Sequence, residues 1–234
     1  MKALKFTLSG KTAFFKRPEV NTYYYFTFGN IHKVALLGIF GAILGYQGYN
    51  ATKDKGLPEF YQKLHDLKIS IIPRNKNGYI SKKIQYFNNS VGYASNETGG
   101  NLIVKEQWLE NPIWDIVVLL DCQEADKLAL SLLNNTCIYI PYLGKNDHPA
   151  NISNVEIIEL TEKKINEDKI VCLFPKDMFE EADDQGNYYK YQESLPIGLN
   201  RETGMYDYEI FIQTNLLLDG KTAYSFNQEN IIFY

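Results

Sequence analysis

Residues 34–46 read VALLGIFGAILGY, and this apolar stretch decides how the first half of the chain is built. A helix of this length spans about 20 Å, which is too short for the roughly 30 Å hydrocarbon core of a bilayer. We therefore expect a buried helix and no membrane span. The predicted helix covers residues 31–46, and Asn30 is its predicted N-cap because a short amide side chain can accept from the first free backbone amides.

One face of this helix is made of small residues. Each glycine inside a helix costs about 1 kcal/mol relative to alanine, so three of them in one helix need a structural reason. The pattern predicts that another backbone approaches this face closely. The residues of the small face are Gly38, Gly41, Ala42 and Gly45.

The segments around this helix predict an α+β fold. Their order of strand, helix, strands, helix and strand is interpreted as the ferredoxin-like βαββαβ arrangement, which RNA-recognition modules also use. A second helix is expected at residues 122–134. The strands are expected at residues 3–8, 68–72, 80–87, 101–109, 113–121 and 136–142.

The domain organisation follows from this order. Residues 1–150 are predicted to form the ferredoxin-like domain, from which a long β-hairpin at about 80–109 projects as a thumb. The run between the two hairpin strands is rich in Asn, Ser and Gly, as expected for a loop tip. Residues 151–234 are predicted to be a small β-rich extension that packs on the same body.

Charge is distributed unequally along the chain. The net charge is −4, yet residues 1–110 contain 15 Lys and Arg against 7 Asp and Glu, whereas residues 111–234 contain 9 against 21. This asymmetry indicates a basic surface for an anionic partner and an acidic surface that faces elsewhere. The alternative is that the two halves attract each other within one fold.

The sequence contains no recognisable motif for catalysis, metal binding or cofactor binding. Both GKT triplets, at residues 10–12 and 220–222, lack the earlier glycine of a phosphate-binding loop, and the three histidines lack metal-ligand spacing. We therefore predict no metal and no cofactor, and a Ser-His-Asp triad has no GxSxG motif to support it. Three cysteines without a CxxC motif, and a start that does not resemble a signal peptide, favour a cytoplasmic protein.

The predicted hairpin carries the strongest signal for RNA. It combines cations for phosphates, rings for stacking and amides for base edges. The alternative is an ordinary exposed hairpin with its rings packed underneath. The candidate contacts are Lys82, Lys83, Tyr86, Asn88, Asn89, Gln107 and Trp108.

Three further segments add candidate contacts. The loop 143–150 crowds a cation, an amide and an imidazole together, although turn bonds from Asn and Asp side chains explain such a loop equally well. The start of the first helix suits a phosphate because of its free amides and dipole. The candidates in these segments and in the basic N-terminal stretch are Lys11, Phe14, Lys16, Arg17, His32, Lys33, Lys145, Asn146 and His148.

The sequence resembles the fifth Cas family, whose members are RAMP-type backbone proteins of type I Cascade complexes. The similarity lies in short motifs spread over nearly the whole chain. Two of them, the loop 142–150 and residues 195–200, are similar to type I-B members. The motifs are FTLSGKTAFF (6–15) with RP (17–18), LGIFGAILG (37–45), QWLENP (107–112), YLGKNDHPA (142–150) and LPIGLN (195–200).

This resemblance implies a non-catalytic subunit that binds the repeat-derived 5′ handle of the crRNA. It also implies contacts with the Cascade backbone subunit and the large subunit, and with target DNA only through the complex. The alternative is a metal-independent ribonuclease that processes precursor crRNA, as in the type I-C branch. That branch uses Tyr, Lys and His, but here the order of His32 and Lys33 is reversed relative to its adjacent Lys-His pair.

Overall fold

The computed structural model describes residues 1–19, 24–51, 56–90, 92–93, 96–98, 100–181 and 186–234. Part of the predicted hairpin tip, including residues 94–95, lies outside the described residues. The α-helices are α1 (Lys33–Leu44), α2 (Glu59–Leu64) and α3 (Gln123–Leu133). The strands are β1 (Lys2–Ser9), β2 (Thr12–Ala13), β3 (Ile69–Pro73), β4 (Lys82–Asn88), β5 (Ile103–Glu110), β6 (Ile113–Leu119), β7 (Asn151–Glu159), β8 (Thr161–Lys164), β9 (Phe174–Pro175), β10 (Phe179–Glu181), β11 (Lys190–Leu199), β12 (Tyr206–Thr214), β13 (Leu218–Gly220), β14 (Thr222–Phe226) and β15 (Glu229–Ile231).

A four-stranded antiparallel sheet forms the centre of the molecule. Its strand order is β3-β6-β1-β7. Alternation along β1 directs Leu4, Phe6 and Leu8 into the core cluster that contains residues of α1 and α3. On the opposite face, Ala3 and Val117 belong to a second cluster with residues of the C-terminal strands. Burial on both faces explains why β6 is apolar at every position except Asp115 and does not alternate.

The C-terminal region packs against one face of this sheet. It contains several small sheets, of which the pair β11 and β12 is the longest. Arg74 links the two regions, since its guanidinium donates to Asp115 at 2.7 Å and to Glu229 at 2.6 and 2.7 Å. The central sheet itself continues to residue 159, so a domain boundary at 150 falls directly before one of its strands.

The predicted strand at 136–142 is wrong. The backbone amides of Ile138 and Tyr139 donate to the carbonyls of Ile43 and Ala42, so this segment satisfies the end of α1. β7 supplies the fourth strand of the central sheet instead. The apolar alternation of the segment led to the error, because Ile138 and Ile140 are in fact 68% and 79% exposed.

The small face of α1 meets its neighbours at two of its glycines. A Cβ atom on Gly41 would lie 2.5 Å from the Cβ of Phe60, so the predicted close approach is made by α2. Gly45 ends the helix in the left-handed conformation, with a φ of 80°. Within the described residues, no helix has both the length and the apolarity to cross a membrane.

Candidate nucleic-acid interface

A wide groove of about 1450 Å³ runs between the β4–β5 hairpin, α1 and residues 139–147. Gly38 opens onto it, because a Cβ atom at this position would have no heavy atom within 4 Å. Aromatic rings form much of the lining, which is the composition of a base-stacking surface. The rings are those of Phe14, Phe15, Tyr25, His32, Tyr46, Tyr49, Phe60, Phe87, Tyr139, Tyr142 and Tyr206.

The hairpin has two faces that carry different residues. Its register pairs Lys83 with Trp108 and Tyr86 with Lys105, so side chains alternate between the groove and the opposite side. We define the groove face as Lys83, Gln85, Phe87, Val104, Glu106 and Trp108. The outer face is defined as Lys82, Ile84, Tyr86, Asn88, Ile103, Lys105 and Gln107.

This alternation divides the contacts that the sequence predicts on the hairpin. Lys83 and Trp108 belong to the groove face, and Asn89, directly after β4, also lines the groove. The remaining predicted contacts of the hairpin lie on the outer face, on the opposite side from Lys83, Trp108 and Asn89. Those outer residues are Lys82, Tyr86, Asn88 and Gln107.

A buried carboxylate lies at the base of the groove face. Glu106 is 5% exposed and accepts from both Lys145 Nζ, at 3.1 Å to each oxygen, and Trp108 Nε1, at 2.8 Å. Lys145 Nζ also lies 5.3 Å from the ring centroid of Phe87 and 3.6 Å from Asp147. Sequence reasoning missed Glu106, although a single acid between Lys105 and Gln107 on a basic hairpin was a visible signal.

His148 supports the loop that carries Lys145. Its side chain is fully buried, with Nδ1 2.6 Å from Thr12 Oγ1 and the ring 4.5 Å from that of Trp108. Burial lowers the pKa of this imidazole. Within the same loop, Asn146 is exposed. The loop therefore presents Lys145 and Asn146 and conceals His148.

His32, and not Asn30, is the N-cap of α1. Its Nδ1 accepts from the amide of Ala35 at 3.2 Å, and burial lowers its pKa to about 3. Asn30 is diverted because its side-chain oxygen accepts from Trp114 Nε1 in the core, at 2.9 Å. The side chain of Lys33 points toward the last residue of the chain, and its Nζ donates to the backbone carbonyl of Tyr234 at 3.1 Å. Burial lowers the pKa of this ammonium group.

The N-terminal stretch contributes one cation to the groove. Lys16 is exposed, and its Nζ lies 3.9 Å above the ring of Tyr25. Phe14 is 2% exposed beneath the groove, and Lys11 is exposed. Arg17 pairs with Glu19 at 2.7 Å, and this hydrogen bond raises the pKa of the guanidinium.

The outer face has its own group of rings and cations. Tyr24 Oη and Tyr86 Oη are 3.1 Å apart, and Lys105 Nζ lies 5.4 Å from the centroid of each ring. Tyr86 is 52% exposed. Within the part of the chain that is described, Lys11, Lys16 and Lys82 have no carboxylate within 4.0 Å, so the acidic half leaves these cations available.

The three histidines differ in their surroundings. The two histidines near the groove are 4% and 0% exposed, whereas His65 lies at the end of α2 and stacks on Tyr61. Among the described residues, no group of three or more His, Cys, Asp or Glu side chains could hold a metal ion.

Comparison with known proteins finds similarity at the level of structure. A chain from a structure described as a CRISPR RNA-guided surveillance complex matches 93% of this chain over 90% of its own length, with a TM-score of 0.56 and 12% identity. A CRISPR protein from Archaeoglobus fulgidus matches 99% of this chain over 98% of its own length, with a TM-score of 0.52 and 14% identity. No protein-family model and no curated protein matches the sequence. At these identities the similarity concerns the fold, a mixed arrangement of few helices and many antiparallel strands shared with CRISPR-associated proteins.

Proposed function

We propose that this chain is a non-catalytic subunit of a type I CRISPR surveillance complex, of subtype I-B, and that it binds the 5′ handle of the crRNA. One observation carries the proposal: a ring-lined groove lies beside a projecting hairpin in a chain with the fold of CRISPR-associated proteins. The size and aromatic lining of the groove suit a single strand whose bases are unstacked.

The order of the central sheet supports the ferredoxin-like part of the proposal. In the order β7-β1-β6-β3, α1 follows β1 and α3 follows β6, which is the arrangement of a split βαβ pair. The β4–β5 hairpin then corresponds to the thumb that the family resemblance implies. The RNA-contacting side of this thumb is its groove face.

The proposed contact set is smaller than the set predicted from sequence. We assign stacking to Tyr25 and Phe87, and a phosphate contact to Lys16, because these side chains line the groove. Trp108 and Lys83 share the groove face but are half-buried beside the groove, and Lys83 lies 3.7 Å from Glu110. The buried residues Phe14, His32 and His148 support the groove from below.

The same proposal places the chain in a larger assembly. The side chain of Ile138, which is 68% exposed and lies outside the groove lining, suits contact with a protein partner. We propose the Cascade backbone and large subunits as these partners, with target DNA reached through the complex, in the cytoplasm.

The ribonuclease alternative has less support. Metal-independent cleavage needs an imidazole or amine within reach of the 2′-OH and the leaving oxygen. The histidines beneath the groove are buried and Lys145 is paired with Glu106, so the exposed amine of Lys16 has no exposed imidazole beside it among the described groove residues. Incubation of the full chain with repeat RNA and EDTA is expected to leave the RNA intact, whereas a specific product would favour cleavage.

The binding proposal is tested by recovering RNA with the protein. The full chain carrying an affinity tag is purified from its own cells, and the co-purified RNA is sequenced. We expect short RNAs that share one 5′ segment derived from a CRISPR repeat. Lys16→Glu should lower their recovery severalfold, because it reverses a charge at the groove.

Lys164→Glu is the matched control, since Lys164 is an exposed cation on β8, outside the groove. It should leave recovery unchanged. Absence of repeat-derived RNA from the purified wild-type protein would contradict the proposal. An equal loss of RNA recovery in both variants would mean that RNA is attracted by the charge of the whole surface and not bound specifically at the groove.

A further inference from the structure

The groove contains a carboxylate where a surface for phosphates would carry only cations. Glu106 lines the groove, is 5% exposed and belongs to the groove face between Val104 and Trp108. An ionised carboxylate repels phosphate and only accepts hydrogen bonds, so the group it recognises must be a donor. In RNA, such donors are the 2′-hydroxyls and the edges of the bases, but only a base edge offers two adjacent donors, one for each carboxylate oxygen.

The geometry around Glu106 arranges three hydrogen-bonding groups together. Trp108 Nε1 donates to Oε2 at 2.8 Å and so fixes the orientation of the carboxylate. Lys145 Nζ lies 3.1 Å from each of the two oxygens. The pair therefore presents one donor, the ammonium group, beside two acceptors, the carboxylate oxygens.

We propose that Lys145 and Glu106 form a subsite for the Watson–Crick edge of one guanine in the bound RNA. Guanine presents O6 as an acceptor beside the donors N1–H and N2–H₂, which complements this row of groups. Lys145 would shift from the carboxylate to O6, while the two oxygens of Glu106 accept from N1–H and N2–H₂. The inference rests on the proposed function, because it names a base within the strand that the groove holds.

The other bases fit this row less well. Adenine would direct the lone pair of N1 at the carboxylate, and uracil would direct O2 at it. Cytosine offers a single amino donor next to the acceptor N3. Guanine is thus the base that gives both oxygens of Glu106 a donor and Lys145 an acceptor.

The surroundings of the pair suit a base and not a phosphate. The ring of Phe87 lies 5.3 Å from Lys145 Nζ, and both residues line the groove, so a base beside the pair would have an aromatic neighbour. Asp147 lies 3.6 Å from the same ammonium group and would keep it near the site when it leaves Glu106. Lys16, which has no carboxylate partner among the described residues, remains for the phosphates.

The test measures the affinity of the full chain for short oligouridine RNAs by fluorescence anisotropy. One central position carries guanosine, inosine, adenosine or uridine. We expect guanosine to bind about tenfold tighter than inosine, which lacks only the N2 amino group, and adenosine to bind more weakly still. Glu106→Gln should abolish the preference for guanosine over inosine.

Glu110→Gln is the matched control, since it removes the same charge from the same strand outside the groove lining. It should keep the preference for guanosine. Tight binding of all four RNAs with equal affinity would overturn the guanine subsite and leave the proposed function standing. No binding of any of them would overturn the proposed function as well. If Glu106→Gln fails to fold, the wild-type comparison of guanosine with inosine decides the matter alone.

Discussion

The two faces of the β4–β5 hairpin differ in how they are used, although the same two strands form both. The groove face rests on the body of the protein, where Glu106 is buried and bonded to Trp108 and Lys145. The outer face carries exposed side chains such as Tyr86, which meets only Tyr24 and Lys105 in the contacts described above. Rings and cations occur on both, so composition alone does not distinguish a binding face from a solvent face.

What separates the faces is their support from below. A stacking ring binds well when it is already held in place, because less conformational entropy is lost on binding. The groove face has this support from buried neighbours, among them Phe14 and His148. The outer face lacks a second layer of this kind in the described part of the chain. Under the proposed function, RNA is expected on the groove face, and the experiments below test either the support of the two faces or their affinity for RNA.

The largest expected effect is on stability. Phe14→Ala removes a ring that is 2% exposed beneath the groove and should lower the free energy of unfolding by about 3–5 kcal/mol. Tyr86→Ala on the outer face should change it by less than about 0.5 kcal/mol. Urea unfolding of both variants measures the difference. Equal losses would show that the outer face is supported as firmly as the groove face.

The second effect is a pH dependence that arises at the floor of the groove. The folded pKa of His32, about 3, lies below its ordinary value of 6.5, so the unfolded chain binds a proton first as the pH falls. Its contribution is complete above pH 6.5 and is lost as the pH decreases toward 3. Between pH 6.5 and 5 the loss is about 2 kcal/mol.

His32→Asn keeps an N-cap acceptor and removes this titration, so its free energy of unfolding should vary less with pH over the same interval. His148, whose pKa is also lowered by burial, still contributes in the variant. His65→Gln, at the end of α2, is the control and should retain the wild-type dependence. An unchanged slope in His32→Asn would mean that the imidazole titrates normally in the folded protein.

The third effect compares RNA affinity across the hairpin. Phe87→Ala on the groove face should weaken binding of a short single-stranded RNA about tenfold, since one stacked base contributes about 1–3 kcal/mol. Tyr86→Ala, its neighbour on the outer face, should leave the affinity within about twofold. Anisotropy titrations at one salt concentration measure both. The reverse order would move the RNA to the outer face.

Much of the fold was predictable because local pattern and tertiary burial agree. The alternation of β1 and the periodicity of α1 placed these elements close to their observed bounds. The segment 136–142 was not predictable from its alternation, because its role depends on the free carbonyls of α1. A pattern of period two indicates an extended chain but not its partner.

The candidate site was predictable only in part. Sequence reasoning found the hairpin and Lys145, but it placed His32 and His148 at the surface, where polar residues usually lie. In the structure both are buried, and Nδ1 of each has a hydrogen-bond partner: the amide of Ala35, three residues along the chain, for His32, and the hydroxyl of Thr12, which is distant in the sequence, for His148. The part of the protein against which the hairpin packs determines which hairpin residues face the groove. This packing cannot be predicted from the local sequence pattern.

The smallest expected effect, and the one with the most specific signature, concerns Gly38 on the floor opposite the groove face. Its position in the middle of α1 costs helix stability, yet an added Cβ atom would meet nothing within 4 Å. Gly38→Ala should therefore stabilise the protein by up to about 1 kcal/mol. If RNA approaches the helix backbone here, the same methyl group should weaken RNA binding severalfold, so stability and affinity move in opposite directions.

Gly41→Ala is the contrasting variant, since its Cβ would clash with Phe60 and lower stability. A Gly38→Ala protein that is more stable and binds RNA as well as the wild type would show that the strand lies away from α1, along the hairpin and residues 139–147.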